Sequence, residues 1–337
     1  MVFMKYNYIV FGTTEDYYRL GYMDLNNGES DTHYFDYPRI TGFPSKLLSF
    51  IRKVHMSPRV NGIVKLPGKS VWNRLLYKDQ FCNGKPTCFI FFSSGPFTEH
   101  LQSGFQKYLK NHYPGSKFVV FYQDLVEARS RTNSIEYYKE TFDELLSFDF
   151  GDCQKYGMHY HPLVFSDIRK IDLRPVKKSD VYFCGAAKNR IDKILEAYDY
   201  FSSCGYDCDF IIITDKEEDI GKCKKRKGIR TCKALSYYDN LAHVASTKYL
   251  LEIMQKGGTG FTIRICEAIA FNKKLISNNA YLKRAAFYNV EDVIAFDTIE
   301  DLSKKTLDFE RESSLKKYRE DISPLRLIDY IERIINT

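Results

Sequence analysis

The sequence has no run of about eighteen apolar residues, so a membrane-spanning helix is not expected. It has no internal repeat with a period of about 20–50 residues and no low-complexity tract. It has no Cys-x-x-Cys. Its nine cysteines (Cys82, Cys88, Cys153, Cys184, Cys204, Cys208, Cys223, Cys232 and Cys266) are scattered and odd in number. Cys204 and Cys208 have no matching second pair, which argues against zinc, and reduced thiols are expected. The start, "MVFMKYNYIVFG", reads as a first strand and lacks the small-residue cleavage site of a secretory leader. The expected location is the cytoplasm, with a peripheral seat on the inner face of the plasma membrane. Most tellingly, no aspartate or glutamate occurs from Tyr37 to Lys78, although the chain has 43 of them.

What is present fits an ordinary globular protein. At about 150 residues per domain, 337 residues suggest two domains. A net charge of +7 favours an anionic partner: a nucleotide, an acidic membrane surface or nucleic acid. Twenty-six tyrosines and 25 phenylalanines suit base or sugar stacking, and equally suit a core.

Apolar runs alternate with helical patterns. Strands are expected at 6–12, 87–92, 117–124 and 144–150, and in a second set at 180–186, 208–214, 248–253, 273–278 and 292–297. Helices are expected at 97–111, 190–204, 237–245, 262–271 and 298–307. The alternation predicts an α/β chain with parallel sheets. A polar stretch with Pro175 divides the two sets, so the expected domains are 1–170 and 171–320. A last amphipathic helix, 321–337, is expected to pack back on the first domain. The expected architecture is two Rossmann-like domains facing a cleft, with ligands at the carboxyl ends of the strands.

"GGTGFTIRICEAIAFN" carries the chemistry. Gly257, Gly258 and Gly260 let backbone approach a ligand. Thr259 or Thr262 can cap the following helix, whose free N–H groups and dipole suit a diphosphate. Arg264 and Glu267, three apart, share one helix face. Arg264 can neutralise phosphate and Glu267 can accept hydrogen bonds from ribose hydroxyls. A packing helix behind a glycine turn explains the same letters. In "FCGAAKNR", Gly185 is followed by Lys188 and Arg190 at a helix start, where cations oppose the dipole and suit a second phosphate clamp. Ser236 and Tyr237, in "ALSYYDNL", are candidates to meet a base edge, and Phe261 completes the set of donor-site residues.

In this order, "FCGAAKNR", "ALSYYDNL", "GTGFTIRICEAIA" and "KKLISNN" resemble the nucleotide-binding half of GT-B glycosyltransferases, most of all the bacterial enzymes of capsule and lipopolysaccharide synthesis. The clear resemblance covers roughly 179–300. "FDFGDCQKYGMHYHPLVFS" more vaguely resembles a segment just before the domain linker. The resemblance implies that the C-terminal half holds a nucleotide-sugar, with Glu267 on ribose and Lys188 and Arg190 on diphosphate. It implies that the N-terminal half receives the acceptor. Many retaining members have Glu-x7-Glu, but Thr259 stands eight residues before Glu267, so inversion is the expectation.

An inverting transfer needs a base. "FFSSGPFTEHLQSGF" supplies Glu99 and His100, which are followed in preference by Asp124 and then Asp16. Each has a plain alternative as a first-turn or capping residue. His159 and His161, two apart, lack a third ligand. The carboxylate pair of metal-dependent sugar transferases is taken to be missing, so no metal or other cofactor is expected, and N–H groups and cations would meet the leaving-group charge.

The acid-free stretch 37–78 carries Arg39, Lys46, Arg52, Lys53, Arg59, Lys65, Lys69, Arg74 and Lys78. Phe43, Leu47, Leu48, Phe50, Ile51, Trp72, Leu75 and Leu76 lie among them. Arg52, Lys53, Trp72 and Arg74 are read as a face for an anionic membrane and a lipid-linked acceptor. A solvated basic face over a core is the alternative, and nucleic acid is not expected because no binding motif accompanies the charge. The leading reading is a metal-independent glycosyltransferase moving a sugar, with UDP as the expected nucleotide, to a growing surface glycan. A nucleotide-sugar epimerase of related fold and a non-catalytic nucleotide-binding protein are the alternatives.

Overall fold

The computed structural model describes residues 4–13, 15–27, 31–38, 45–64, 66–78, 81, 83–129, 134–169, 171–305 and 307–337. The chain divides into two compact units. The first comprises Met1–Phe148, Asp152–His161 and Leu327–Thr337; the second comprises Asp149–Gly151 and Pro162–Arg326. No helix among the described residues is long and apolar enough to cross a membrane.

The first unit holds a six-stranded sheet in the order β2-β1-β3-β4-β5-β6, parallel throughout. Its strands are β1 (Asn7–Phe11), β2 (Thr32–Phe35), β3 (Thr87–Phe92), β4 (Lys117–Tyr122), β5 (Glu144–Ser147) and β6 (His159–Tyr160). β3, TCFIFF, is buried at every position, as a strand covered on both faces must be. The phenylalanines are core residues here. Phe11 packs against Phe91, Phe97 and Phe105 with ring centroids 4.8, 4.4 and 5.6 Å away.

The helix expected at 97–111 is two helices, Pro96–Glu99 and Phe105–His112. Gly104, at φ +82°, turns the chain between them. From Leu327 onward the last helix, Pro324–Ile335, belongs to this unit. It buries Leu327, Ile328 and Ile331, and Glu332 accepts hydrogen bonds from the Tyr8 hydroxyl and the Lys5 N–H.

The second unit repeats the plan with order β12-β11-β10-β7-β8-β9, again parallel. Its strands are β7 (Ser179–Ala186), β8 (Cys208–Ile213), β9 (Ile229–Cys232), β10 (Thr247–Glu252), β11 (Lys274–Ser277) and β12 (Val293–Ala295). Val181, Phe183, Phe210, Leu251 and Ile276 fill one core with the helix Ile191–Ser203. The fold class is thus α/β with two Rossmann-like sheets, as the alternation predicts. In each sheet the first strand has its successor on one side and a later strand on the other. The carboxyl ends of β1 and β3, and of β7 and β10, therefore flank a switch point, where such sheets bind ligands.

Tyr34 locks the β1 end. Its hydroxyl accepts from the Thr13 N–H at 2.9 Å and donates to the Thr13 carbonyl at 3.0 Å. A Cβ on Gly12 would lie 1.9 Å from the Tyr34 ring. Gly12→Ala is expected to destabilise the first unit by about 1–3 kcal/mol through displacement of that ring. Urea unfolding with an unchanged slope and a lower midpoint would register it.

Candidate functional site

The site is built where β7 and β10 end. Glu267, on the helix Ile263–Phe271, is wholly buried. Its Oε1 accepts from the Tyr237 hydroxyl at 2.9 Å and from Asn240 Nδ2 at 2.8 Å. Its Oε2 accepts from the Arg264 guanidinium one turn away, so the i, i+3 spacing is an ion pair. Arg264 also donates to the Cys184 carbonyl at 2.9 Å, which fastens this helix to the end of β7. Tyr182 donates to Asn240 Oδ1 at 3.0 Å and extends the network to the helix Tyr237–Ser246. The Glu267 carboxylate beside Arg264 holds that guanidinium charged, against the opposing effect of burial.

Arg190 does something different from a phosphate clamp. Its Nε donates to the Ala186 carbonyl at 3.1 Å and its guanidinium also donates to the Ile253 carbonyl. It thereby ties the ends of β7 and β10 together over the Phe183 ring. Gly185 makes room, because a Cβ there would come within 2.8 Å of that guanidinium. The Arg190 pKa is lowered, chiefly by burial. Lys188 is exposed in a left-handed conformation at φ +43° and donates to Gln255 Oε1 at 2.9 Å. The two cations were expected to act alike; one is structural and the other stands at the surface.

The glycine loop also differs from expectation. Its N–H groups do not stand open. Asp149 Oδ2 accepts from the N–H of Thr259 at 2.6 Å and of Gly260 at 2.8 Å, while Oδ1 accepts from the Thr259 hydroxyl at 2.9 Å. The same hydroxyl oxygen accepts from the Gly151 N–H at 2.9 Å. Thr259 is therefore an anchor for the loop. Gly257 turns it at φ +89°, next to Gly258, and Phe261 packs edge-on to Phe150. Thr262 caps the helix by accepting from the Arg264 N–H at 3.2 Å, and its hydroxyl donates to Glu252. Glu252 is buried at the end of β10, accepts from Ser277 as well, and has its carboxyl pKa raised, mainly by burial. Asn279 donates to the Gly260 carbonyl at 2.9 Å.

Ser236, expected near a base edge, is a helix cap. Its Oγ accepts from the Asp239 N–H at 3.0 Å and donates to Asp239 Oδ2 at 2.7 Å. Asp149, Asn240, Glu252 and Asn279 are the site residues that motif reading missed. The signal for Glu252 was available, since a glutamate inside the apolar strand KYLLEI needs a buried partner.

The carboxylate pair taken to be missing is present in the sequence. Asp207-Cys208-Asp209 is an Asp-x-Asp. It lies at the opposite, amino-terminal edge of the second sheet, beside a cavity of about 600 Å³. Asp207 pairs with Lys177, and Asp209 with His243 and Arg230, so both carboxylates already have cationic or imidazole partners. Among the described residues, no group of three His, Cys, Asp or Glu is placed to hold a metal ion.

In the first unit, Asp16, Glu99 and Asp124 follow β1, β3 and β4, three adjacent parallel strands, so the topology brings all three to one sheet edge. Glu99 is exposed at the end of its short helix, and partial burial raises its carboxyl pKa. His100 is corrected as a candidate base. It is 2% exposed, its Nε2 meets the Tyr37 hydroxyl at 2.7 Å, and its Nδ1 has no hydrogen-bond partner. Burial, helped by Arg52, pushes its pKa down to about 4. His159 pairs with Glu144 at 3.0 Å and His161 is buried against Phe121 and Tyr330.

Of the basic face, Lys53 and Arg74 are exposed. Arg52 lies over the Tyr37 ring and donates to the Pro38 carbonyl. Trp72 is a correction: it is buried, and its Nε1 donates to His55 Nδ1 at 3.0 Å. Arg39, Phe43 and Lys65 lie outside the described residues, as does the side chain of Lys46.

No family model matches the chain, and no curated protein matches it. Solved structures do. A glycosyltransferase involved in avilamycin A biosynthesis, AviGT4, superposes with TM-score 0.52 at 14% identity, covering 81% of this chain and 80% of that one. The glycotransferase of kitacinnamycin has TM-score 0.44 at 10% identity, covering 98% and 99%. The UDP-GlcNAc 2-epimerase of Methanocaldococcus jannaschii has TM-score 0.45 at 12% identity, covering 96% and 99%. The first of these carries the structural argument, and what it shows is the fold: the two Rossmann-like units are of the GT-B type.

His100 gives a signed pH prediction. Between pH about 6.5 and about 4 the unfolded chain binds a proton there that the folded chain refuses. Stability is therefore expected to fall as pH drops through that window, by about 3 kcal/mol at most from this group. Denaturant midpoints from pH 7 to 4 should decline less steeply in His100→Asn than in the parent chain.

Proposed function

We propose that this chain is a glycosyltransferase that moves a sugar from a nucleotide-sugar to a hydroxyl of a glycan acceptor. The observation that carries the reading is the buried Arg264–Glu267 pair, fastened to the carboxyl end of β7 at the switch point of the second sheet. A plain packing helix has no use for a buried ion pair, whose desolvation is costly unless every group is held. Here the pair is held by Tyr237, Asn240 and a backbone carbonyl, beside a glycine loop. The likeness to AviGT4 agrees with this reading at the level of fold.

In this proposal the donor diphosphate lies at the start of the helix Ile263–Phe271, near Lys188 and below Arg264, and helix N–H groups and cations meet the charge of the leaving nucleotide. Ribose reaches Glu267 by replacing the Tyr237 hydroxyl, because Tyr237 is the half-exposed partner whereas Asn240 and Arg264 are buried. UDP is the proposed nucleotide and the reaction is metal-independent and inverting. Glu99 is the first choice of base, ahead of Asp124 and Asp16, because it follows β3, the middle of the three adjacent strands, and partial burial raises its carboxyl pKa.

Calorimetric titration with UDP, GDP, CMP and dTDP in the presence of a chelator tests the site. One nucleotide is expected to bind, Glu267→Gln to weaken it about tenfold or more, and Tyr237→Phe to leave it unchanged or slightly tighter. A tenfold loss in Tyr237→Phe would contradict the ribose geometry, and absence of any binding would remove the site. Product mass separates transfer from the epimerase alternative, which leaves the donor mass unchanged. Glu99→Gln is expected to lower kcat by about 10²–10⁴-fold with nucleotide affinity retained.

A further inference from the structure

The helix Ser45–Met56 carries its apolar residues the wrong way round for a core element. Leu47, Phe50 and Ile51 are spaced to share one face, and in a surface helix that stripe ordinarily meets the core. Here they are 58%, 64% and 43% exposed. The neighbouring short elements repeat the pattern. Ile63 is 88% exposed, and Val71 and Leu75 are exposed as well. Of the twelve large apolar side chains exposed among the described residues, eight fall between Leu47 and Leu75. That clustering is what separates a docking surface from the scattered apolar residues found on any protein.

The charge of the same segment is one-sided. Lys53, Arg59, Arg74 and Lys78 are exposed, and no acidic residue occurs from Tyr37 to Lys78. On the helix, Lys53 falls on the flank of the apolar stripe next to Phe50. The segment is tied to its unit by Asn73, which donates to the Ser103 carbonyl at 3.3 Å, and by Leu76 and Tyr77, which are buried in the core of that unit. His55 receives the Trp72 indole N–H at 3.0 Å, and its Nε2 lies 2.7 Å from the Pro67 carbonyl. The apolar residues are therefore presented outward by a packed element.

We propose that this surface binds an anionic lipid bilayer, with Leu47, Phe50 and Ile51 entering the headgroup–acyl boundary and Lys53, Arg59 and Arg74 on lipid phosphates. A bilayer satisfies both features at once, apolar contact and negative charge. A second copy docked through the same face would set cation against cation. A nucleic acid would satisfy the cations and leave the apolar stripe in water. The proposal rests on this surface and not on the transferase reading, and nucleotide titration without lipid tests that reading separately.

The test is co-sedimentation of the full chain with phosphatidylcholine vesicles, with and without about a third phosphatidylglycerol, at low and high salt. Partition onto the anionic vesicles is expected to be about tenfold or more stronger, and to weaken with salt. Phe50→Ser with Ile51→Ser, and separately Lys53→Glu with Arg74→Glu, should each cut it about tenfold while the melting temperature stays within a few degrees, because these side chains are exposed. Equal partition onto both vesicles would overturn the proposal, as would variants that bind like the parent. Concentration-dependent dimerisation abolished by Phe50→Ser with Ile51→Ser, without vesicle binding, would reassign the surface to self-association. Capture of an acidic protein by a chain that ignores vesicles would reassign it to a protein partner.

Discussion

The buried Arg264–Glu267 pair is the interaction on which the rest of the second unit depends. Two opposite charges have been taken out of water at the end of a parallel sheet. Each needs further hydrogen bonds to remain there. Glu267 receives them from Tyr237 and Asn240, and Arg264 places its own on the Cys184 carbonyl. Three elements, β7 and the helices Tyr237–Ser246 and Ile263–Phe271, are thereby fixed around one carboxylate. Removal of either charge would leave the other buried and unpaired.

A second layer of fixed polar groups surrounds that pair. Arg190 bridges carbonyls of β7 and β10, Glu252 holds the capping Thr262, and Asp149 holds the backbone of Thr259 and Gly260. Each of these groups is hydrogen-bonded to a protein partner. Such a shell keeps loops in place before a ligand arrives, which reduces the ordering that binding would otherwise require.

The strands were readable because parallel strands covered on both faces are continuous apolar runs. TCFIFF and CDFIII could be little else. β2, THYF, and β6, HY, were not read as strands, because one is short and half polar and the other has two residues. In the site, local spacing placed Arg264 and Glu267 on one helix face. It could not say what a side chain meets from a distant segment. Asp149 lies 110 residues from Thr259, and Arg190 reaches a carbonyl 63 residues away. Those contacts give the Thr259 and Gly260 N–H groups and the Arg190 guanidinium partners from distant segments. Trp72 is buried rather than on the surface for a related reason, since its indole N–H donates to His55, seventeen residues away on the helix Ser45–Met56.

A nucleotide-sugar bound as proposed sits at the carboxyl ends of β7 and β10. Hydrogen–deuterium exchange of the chain with and without UDP-sugar reads that location directly. Protection is expected in two separated peptides, 185–191 and 256–268, which flank the ends of β7 and β10. Protection confined to 174–179 and 227–230, around the cavity at the amino-terminal edge, would contradict it and move the binding site to the other end of the sheet.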